Sequence, residues 1–393
     1  MANKSLTNAK KVKNDEFYTQ YGDIQKEIEA YLDYDPKSFK GKVVYCNCDD
    51  PYESNFFRYF VLNFKKLGLK RLITTSYKPS PVANSQLELL GDNITLPNSK
   101  GRRKVTANKF IINKVHDMDA NGEFSLSDVA EQLKANKGNE WMPLDGEGDF
   151  RSDECIELLK QADIVVTNPP FSLFREYVKQ LIDHDKRFAI IGNMNAITYK
   201  EIFPLIKENK IWLGNGFNAG NAFFSTPDAS TYGEGVYNIE TGLVKFRNCN
   251  WFTNIDHGRR HQPLPLMTMK DNFKFSRRKQ IKGKNQYIEY DNYKAIEIPF
   301  TDAIPSDYEG VMGVPISFLD KYSPEQFDIL GTSDNGLVDE KYKRTSGVTR
   351  QFVDDYYNAG GTGAYKEGNP TAGYYEDGVA KMAYKRIFIK HKK

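Results

Sequence analysis

The sequence ADIVVTNPPFSLFREY, residues 162–177, predicts a strand, a short loop and a helix in succession. Residues 164–167 are apolar or β-branched, which is typical of a buried strand. Two prolines end this strand, because proline has no N–H to donate to a sheet. Apolar residues then recur at helical spacing over residues 173–181. The tetrapeptide NPPF is therefore expected on a loop at the carboxyl end of a strand, where open α/β sheets bind their ligands.

This NPPF loop offers two hydrogen-bond acceptors and one aromatic ring. Asn168 has a side-chain carbonyl, Pro169 a backbone carbonyl and Phe171 a ring face. Such groups suit a planar ring that bears an amino group, such as adenine. Two acceptors on the amine would stabilise the positive charge that develops as its nitrogen attacks a methyl group. The alternative, a rigid loop that only caps a helix, is less favoured because a strand precedes the motif and a helix follows it.

Several blocks of the sequence resemble known enzymes. The NPPF motif resembles the catalytic motif of amino-methyltransferases that depend on S-adenosylmethionine. The wider chain resembles the EcoRI-type adenine-N6 DNA methyltransferase family, in the blocks DEFYTQY (15–21), VVYCNCDDP (43–51), SNFF (54–57), NPPFSLFREY (168–177) and NWFTN (250–254). The resemblance covers most of residues 14–260 and thins out after them. It implies a Rossmann-like methyltransferase sheet, S-adenosylmethionine as cofactor, double-stranded DNA as partner, and Asn168, Pro169, Pro170 and Phe171 as catalytic residues.

A second strand end is expected at the cofactor. Residues 42–46 form an apolar, β-rich run that ends at Asn47, Asp49 and Asp50, and a helix is predicted over residues 54–67. Carboxylates at the end of the first parallel strand can receive the ammonium group of S-adenosylmethionine. No G-x-G motif follows this strand, so the contacts depart from the usual glycine-rich pattern.

The resemblance adds five residues as cofactor contacts: Phe17, Tyr18, Thr19, Asp149 and Phe150. For the first three, hydrophobic packing at the start of the first helix is the open alternative. The carboxylate of Asp149 is implied to accept a hydrogen bond from the amino group of the cofactor adenine. We expect Asp149 and Asn168 to end neighbouring parallel strands.

The composition indicates a globular protein with a sizeable core. The chain has 393 residues, of which 39% are hydrophobic and 13% aromatic, and this length favours two domains. No apolar run is long enough to span a membrane, and no apolar segment follows the lysine-rich amino terminus to form a signal peptide. The four cysteines lack zinc-site spacing. We therefore expect a cytoplasmic protein, a monomer, with thiols in a reducing compartment and no bound metal.

Three parts of the chain are predicted from these patterns. Residues 1–14 form a flexible basic arm, residues 15–258 the catalytic and cofactor-binding domain with an insertion at about 78–140, and residues 259–393 a smaller target-recognition region. The net charge of +3 is too small to indicate a partner. Residues 270–284, however, hold seven Lys or Arg against one Asp, with aromatic residues between them. This pattern is typical of a strip that follows a phosphate backbone.

Seven residues are candidate DNA contacts: Trp251, Phe252, Arg259, Arg260, Arg277, Arg278 and Lys279. The last three belong to the basic strip, and the first two arginines lie on a loop expected to face phosphate. The resemblance suggests that the two aromatic residues help to wall a flipped base. Core packing is the alternative for both.

The predicted function is adenine-N6 methylation of a base flipped out of duplex DNA. The alternatives are the same chemistry on RNA adenine, cytosine N4 or a protein glutamine, and an inactive DNA-binding relative. Cytosine-N4 enzymes more often resemble Ser-Pro-Pro at this loop, and glutamine methylation needs no basic strip. A nicotinamide dehydrogenase would carry G-x-G-x-x-G after its first strand, and none is present. The resemblance makes GAATTC the first recognition sequence to test.

Overall fold

The computed structural model describes residues 17–48, 54–77, 107–118, 125–134, 138–217, 220–226, 232–233 and 235–392. The predicted cofactor residues Asp49 and Asp50, the basic arm and most of the predicted insertion lie outside these ranges. Within them, no helix combines the length and apolar character needed to cross a membrane. All four cysteines are described and none forms a disulfide.

The described chain divides into two compact units. The first comprises the residues up to Asn193 together with Leu213–His257, and the second comprises Met194–Trp212 and Gly258–Lys393. The break after His257 falls one residue before the predicted start of the recognition region at 259. The segment from Met194 to Trp212 belongs to the second unit, which the sequence did not indicate.

The first unit contains strands and helices in an α/β arrangement, as predicted from the sequence. In chain order its strands are β1 (Tyr18–Thr19), β2 (Val43–Cys46), β3 (Arg71–Thr75), β4 (Asn108–Ile112), β5 (Glu140–Pro143), β6 (Ile164–Thr167), β7 (Arg187–Asn193), β8 (Trp212–Leu213, at the division between the units), β9 (Asn221–Ser225), β10 (Tyr237–Asn238), β11 (Leu243–Arg247) and β12 (Cys249–Thr253). Its helices are α1 (Tyr21–Tyr34), α2 (Asn55–Leu62), α3 (Phe64–Leu67), α4 (Leu126–Lys134), α5 (Asp153–Gln161) and α6 (Phe174–Asp183).

An eight-stranded sheet in the order β5-β4-β3-β2-β6-β7-β12-β8 forms the centre of this unit. Strands β3, β2, β6 and β7 are parallel, whereas β4, β5 and β12 are antiparallel to their neighbours. All four residues of β6 are buried, as its apolar run predicted. Because parallel strands end at one edge of a sheet, the residues that follow β2, β3, β6 and β7 meet there.

A four-stranded antiparallel sheet in the order β1-β9-β11-β10 lies in the same unit. Thr19 of β1 pairs with Phe224 of β9, and Phe224 pairs with Val244 of β11. Its buried face carries the aromatic side chains of Phe224 and Phe246, which pack against Phe17. This small sheet therefore holds the start of the described chain in place.

The second unit has its own sheet and core. Its helices are α7 (Phe203–Lys207), α8 (Met269–Phe275) and α9 (Arg350–Asn358), and its strands are β13 (Ile296–Glu297), β14 (Met312–Pro315), β15 (Phe327–Thr332), β16 (Gly373–Glu376), β17 (Val379–Met382) and β18 (Arg386–His391). The sheet has the order β13-β14-β18-β15, and β16 and β17 form a hairpin. A buried ion pair joins Arg386 Nη2 to Glu297 Oε1 at 2.6 Å. It links β18 to β13 across the sheet.

Candidate active site

Asn168 follows β6 directly and lies at the carboxyl edge of the parallel strands. Its side chain is 8% exposed. The amide nitrogen Nδ2 donates to the backbone carbonyl of Phe17 at 2.6 Å. Since a carbonyl can only accept, this bond sets the orientation of the amide and turns Oδ1 away from Phe17. Oδ1 is buried and has no hydrogen-bond partner in the described part of the chain. Buried carbonyls are normally paired, so this oxygen is suited to a donor on a ligand.

Phe171 belongs to the same loop as Asn168 and begins a short 3-10 turn, Phe171–Leu173. The carbonyl of Pro170 accepts from Leu173 N at 3.0 Å and starts the turn. The Phe171 ring stacks on the Phe17 ring with centroids 6.2 Å apart. Phe17 in turn contacts Phe246 at 4.6 Å between centroids. Packing against Phe17 thus holds the Phe171 ring, and the residue as a whole is only half-buried.

Asn47 joins the ends of β2 and β6. Its backbone carbonyl accepts from Thr167 Oγ1, and its Oδ1 accepts from the hydroxyl of Tyr177 on α6. Burial raises the pKa of Tyr177 well above its ordinary value, so the phenol remains a donor. These bonds hold the strand ends and the following helix as one rigid edge. The predicted cofactor contact of Asn47 stays a prediction.

Asp149 does not end a strand next to β6, and that expectation is wrong. It lies on the loop after the edge strand β5, and β4, β3 and β2 stand between β5 and β6 in the sheet. The loop returns toward β6 because Gly148, with φ of +77°, passes so close to Ser76 that a Cβ would lie 1.9 Å from the Ser76 carbonyl oxygen. Only glycine allows this crossing.

Beyond this crossing the loop reaches α6. The ring of Phe150 meets Tyr177 edge-on at 4.9 Å, and Gln180 Nε2 donates to the Phe150 carbonyl at 3.0 Å. Asp149 and Phe150 therefore lie near the helix that follows the NPPF loop, by a route that strand order does not reveal.

Arg151 engages the carboxylate of Asp149. Its Nε donates to Oδ1 at 2.9 Å and its Nη2 to Oδ2 at 2.6 Å. These side-chain hydrogen bonds lower the pKa of Asp149 below its ordinary value. The backbone N–H of Arg151 also donates to Oδ1 at 2.9 Å, so the spare lone pair of this carboxylate is on Oδ2, which can still accept from a ligand.

The residues around β1 fit a polar cofactor. Thr19 is 1% exposed, and its Oγ1 has no hydrogen-bond partner among the described residues. Thr19 is two residues from Phe17, whose carbonyl binds Asn168. Two buried, unpaired oxygens thus occur on neighbouring segments. The ammonium, amino and hydroxyl groups of S-adenosylmethionine are donors of the kind such oxygens accept.

Three polar residues of this edge were not singled out from the sequence: Asn55, Arg151 and Tyr177. Asn55 Nδ2 donates to the Thr19 carbonyl at 2.7 Å and so ties β1 to the first turn of α2. Arg151, two residues after Asp149, could have been found as a cation close to a predicted functional acid. Asn55 and Tyr177 lie within blocks that carry the family resemblance, but their partners Thr19 and Asn47 are distant in sequence, so the sequence did not indicate these contacts.

Trp251 and Phe252 are placed in the core, which corrects their predicted role at a flipped base. Both are fully buried. The Trp251 ring stacks on Phe217 at 6.0 Å, and the Phe252 ring meets Phe174 at 5.0 Å. Strand β12 is inside the sheet with both faces covered, so neither ring has a face for a base.

The residues of the second unit that were predicted to contact phosphate differ in their exposure and in their ion pairing. Arg260 is 6% exposed, with its guanidinium 3.7 Å above the Trp212 ring and bonded to Asn209, so its predicted role in DNA contact is also corrected. Arg278 is exposed but binds Asp302 at 2.9 Å. Arg277 and Lys279 are exposed, and Arg259 is half-buried. Their contacts with DNA stay predictions.

Comparisons with known proteins give a full-length match. The family model described as adenine-specific methyltransferase EcoRI matches residues 5–392. The type II methyltransferase M.EcoRI of Escherichia coli is 44% identical over 353 residues, which are 89% of this chain and 95% of that protein. M.MpnI of Mycoplasma pneumoniae is 34% identical, covering 91% and 94% of the two chains. M.MgeORF184P of Mycoplasma genitalium is 33% identical, covering 91% and 95%. No solved structure matches significantly.

An α/β fold with an NPPF loop at the end of its parallel strands defines the class of amino-methyltransferases. The match over nearly the whole chain is more specific: the protein belongs to the EcoRI family of adenine-specific methyltransferases and is a site-specific DNA methyltransferase. The family and the enzyme class predicted from the sequence are therefore confirmed.

Proposed function

We propose that this protein transfers a methyl group from S-adenosylmethionine to the N6 amine of an adenine that is flipped out of duplex DNA. The observation that carries the proposal is the buried, unpaired Oδ1 of Asn168 beside the Phe171 ring. An adenine amine has two N–H groups to donate, and one of them would satisfy this oxygen. Phe171 would stack on the base.

Flipping is part of the proposal because Asn168 is buried. A base inside the double helix cannot bring its N6 to an amide that is 8% exposed at the edge of a sheet. The Phe17 carbonyl fixes the amide before substrate binds, so no reorganisation is needed when charge develops on N6. In this dry site, the partial negative charge of Oδ1 acts more strongly on the developing positive charge than it would in water.

S-adenosylmethionine, when bound, supplies the electrophilic methyl group. We assign its contacts to β1 with Phe17, to Asn47, and to Asp149 with Phe150. Three observations support this: the unpaired Thr19 Oγ1, the position of Asn47 at the end of β2, and the orientation of the Asp149 carboxylate by Arg151. The parallel pairing of β3, β2, β6 and β7 supports a Rossmann-like methyltransferase sheet.

We infer that the second unit contains the target-recognition region and binds the DNA backbone through residues 270–284. The support is a group of exposed cations in this segment, Lys274, Arg277, Lys279 and Lys282. We further propose that a single copy acts on DNA in the cytoplasm, a reducing compartment that suits four cysteines without a disulfide.

One experiment tests the reaction, the base and the site together. The protein is expressed in cells that lack adenine methylation, and their DNA is mapped by long-read sequencing. We expect N6-methyladenine at one short sequence, with GAATTC tested first, and no mark in cells that express Asn168→Ala. Methylation at cytosine N4, or no methylated DNA with the unaltered protein, would contradict the proposal.

A further inference from the structure

Ile239 is an apolar side chain in an unusual place. It is 84% exposed, more than any other large hydrophobic residue in the described part of the chain. It stands in the connection between β10 and β11, residues 239–242. Gly, Asn, Asp and Ser are the common residues of such turns, because they stabilise the turn or tolerate its backbone angles. A β-branched apolar side chain contributes nothing to this turn while it is surrounded by water.

The turn that presents Ile239 is held by its own hydrogen bonds. Asn238 Oδ1 accepts from the backbone N–H of Glu240 at 2.8 Å and of Thr241 at 3.1 Å. Gly242 N donates to the Asn238 carbonyl at 2.9 Å, and its φ of +68° closes the turn. Since the backbone is already ordered, little conformational freedom would be lost if a partner covered the side chain.

Strand register places this turn at the active-site end of the small sheet. Thr19 and Val244 both pair with Phe224, so the three residues lie in one row. Strands β1 and β11 are both antiparallel to β9 and run in the same direction. Phe17 is two residues before Thr19, and Gly242 is two residues before Val244, so both lie toward the same end. With strands spaced by about 4.8 Å, the turn is within roughly 15 Å of Phe17, whose carbonyl holds Asn168.

Charges on the hairpin define which part could enter DNA. Lys245 is half-buried and Arg247 exposed on the outer face of β11, and Lys245 Nζ lies 5.8 Å from the centroid of the exposed Phe223 ring. These cations suit phosphates beside the hairpin. Glu240 next to Ile239 is an exposed carboxylate, so the tip itself does not suit a phosphate. The interior of the base stack, which is apolar, is the part of a duplex that suits Ile239.

We propose that Ile239 enters the base stack and occupies the space left by the extruded adenine. The inference rests on the proposed function, because only a base-extruding enzyme creates such a space. An apolar side chain inserted between the flanking bases replaces part of the stacking lost on extrusion. Ile239 is thus a positioning residue: it acts on the equilibrium of base extrusion and does not touch the reacting atoms.

The test compares Ile239→Ala, Ile239→Leu and the unaltered enzyme on two duplexes that contain the mapped site. In the first duplex the target adenine faces thymine, and in the second it faces an abasic position, so that no pair must be broken. We expect Ile239→Ala to lower kcat/KM roughly tenfold on the paired duplex, the order that loss of a buried aliphatic side chain gives, and to restore near-normal rates on the second. Ile239→Leu should match the unaltered enzyme on both.

Fluorescence gives a second readout that a merely structural role would not change. With 2-aminopurine at the target position, binding of the unaltered enzyme should raise the fluorescence, and Ile239→Ala should reduce this rise on the paired duplex. Leu62→Ala, which truncates an exposed aliphatic residue of α2, is the matched control and should change neither readout.

Two results would overturn the assignment of Ile239. One is a normal rate of Ile239→Ala on the paired duplex; the other is an equal loss on both duplexes, which would show a role unrelated to extrusion. A different failure, in which the unaltered enzyme methylates adenine in neither duplex, would overturn the proposed function together with this inference.

Discussion

At the scale of single residues, the central contact is one hydrogen bond to the Asn168 amide, for which we propose a catalytic role. The NPPF motif was readable from the sequence because its four residues are adjacent and their chemistry is local. The acceptor that orients Asn168 was not readable as such, because it is the backbone carbonyl of Phe17, and every residue has one. The sequence therefore predicts which side chain is functional, whereas the fold determines how that side chain is oriented.

Substitutions at Asn168 separate the acceptor from its orienting bond. Asn168→Ala removes the oxygen and should lower kcat by roughly a hundredfold or more, while DNA affinity stays within about twofold. Asn168→Asp keeps an acceptor but faces the Phe17 carbonyl with a second oxygen, so we expect an intermediate kcat. Single-turnover methylation and DNA-binding anisotropy measure the two quantities. Similar kcat values for Asn168→Ala and the unaltered enzyme would contradict the assignment.

The Asp149–Arg151 pair predicts a pH-dependent difference in stability. In the folded protein the pKa of Asp149 is lowered from its ordinary value of 3.8, so the pair stabilises the fold above that pH. This contribution is lost as the pH falls through the lower folded value. The melting temperature of Arg151→Ala should therefore be below that of the unaltered protein by a small, constant amount from about pH 5 to 7. A difference that does not shrink below about pH 4 would speak against the pair.

At the scale of elements, residues 164–167 and 43–46 form strands as predicted, because short apolar runs rich in β-branched residues favour a buried strand. The helix predicted over residues 54–67 is instead two helices, α2 and α3, with a break at Asn63. The predicted position of Asp149 was wrong because two antiparallel strands, β4 and β5, extend the sheet beyond β3. Asp149 therefore follows an edge strand and not a neighbour of β6. The hydrophobic pattern predicts the strands and helices. It does not predict the course of the loop after β5, which depends on the close contact between Gly148 and Ser76.

The tie between Asn55 and β1 leads to a prediction about the active site. Asn55→Ala removes the donor to the Thr19 carbonyl and should loosen the segment that carries the Phe17 carbonyl. We expect kcat to fall about tenfold while DNA affinity is unchanged, because an orienting contact is weakened and the acceptor itself remains. The nearby Asn63→Ala, which removes bonds to the Tyr21 hydroxyl and the Tyr59 carbonyl, is a control of similar size. Equal kcat values for the two variants would argue against the tie.

At the scale of the whole molecule, the described chain forms two compact units, and the assignment of a catalytic and a recognition part to them stays a prediction. Composition alone identified residues 270–284 as basic, but not which of their cations are already neutralised. Arg278 is paired with Asp302 and covers the Phe300 ring, whereas Arg277 is exposed and forms no ion pair with a carboxylate of the described residues. Ion pairing within the fold thus distinguishes cations of the basic strip that the sequence alone does not distinguish.

This difference predicts unequal salt dependence for two adjacent arginines. Arg277→Ala should reduce the slope of log affinity against log salt concentration by roughly one, for specific and non-specific DNA alike. Arg278→Ala should have a smaller effect, because its charge is partly balanced by Asp302. Titration of labelled duplexes between low and physiological salt measures both slopes. Identical slopes for the two variants would show that the internal pair does not persist on DNA.

The short strand β1 also has a consequence for biosynthesis. Its partner β9 lies far along the chain, so a growing polypeptide emerges from the ribosome with Phe17 long before Phe224 exists to receive its neighbour Thr19. In a nascent chain whose NPPF loop has just emerged, the Asn168 amide would not yet be oriented by the Phe17 carbonyl. The ability to methylate DNA would then arise late in translation, and prematurely terminated chains would be inactive.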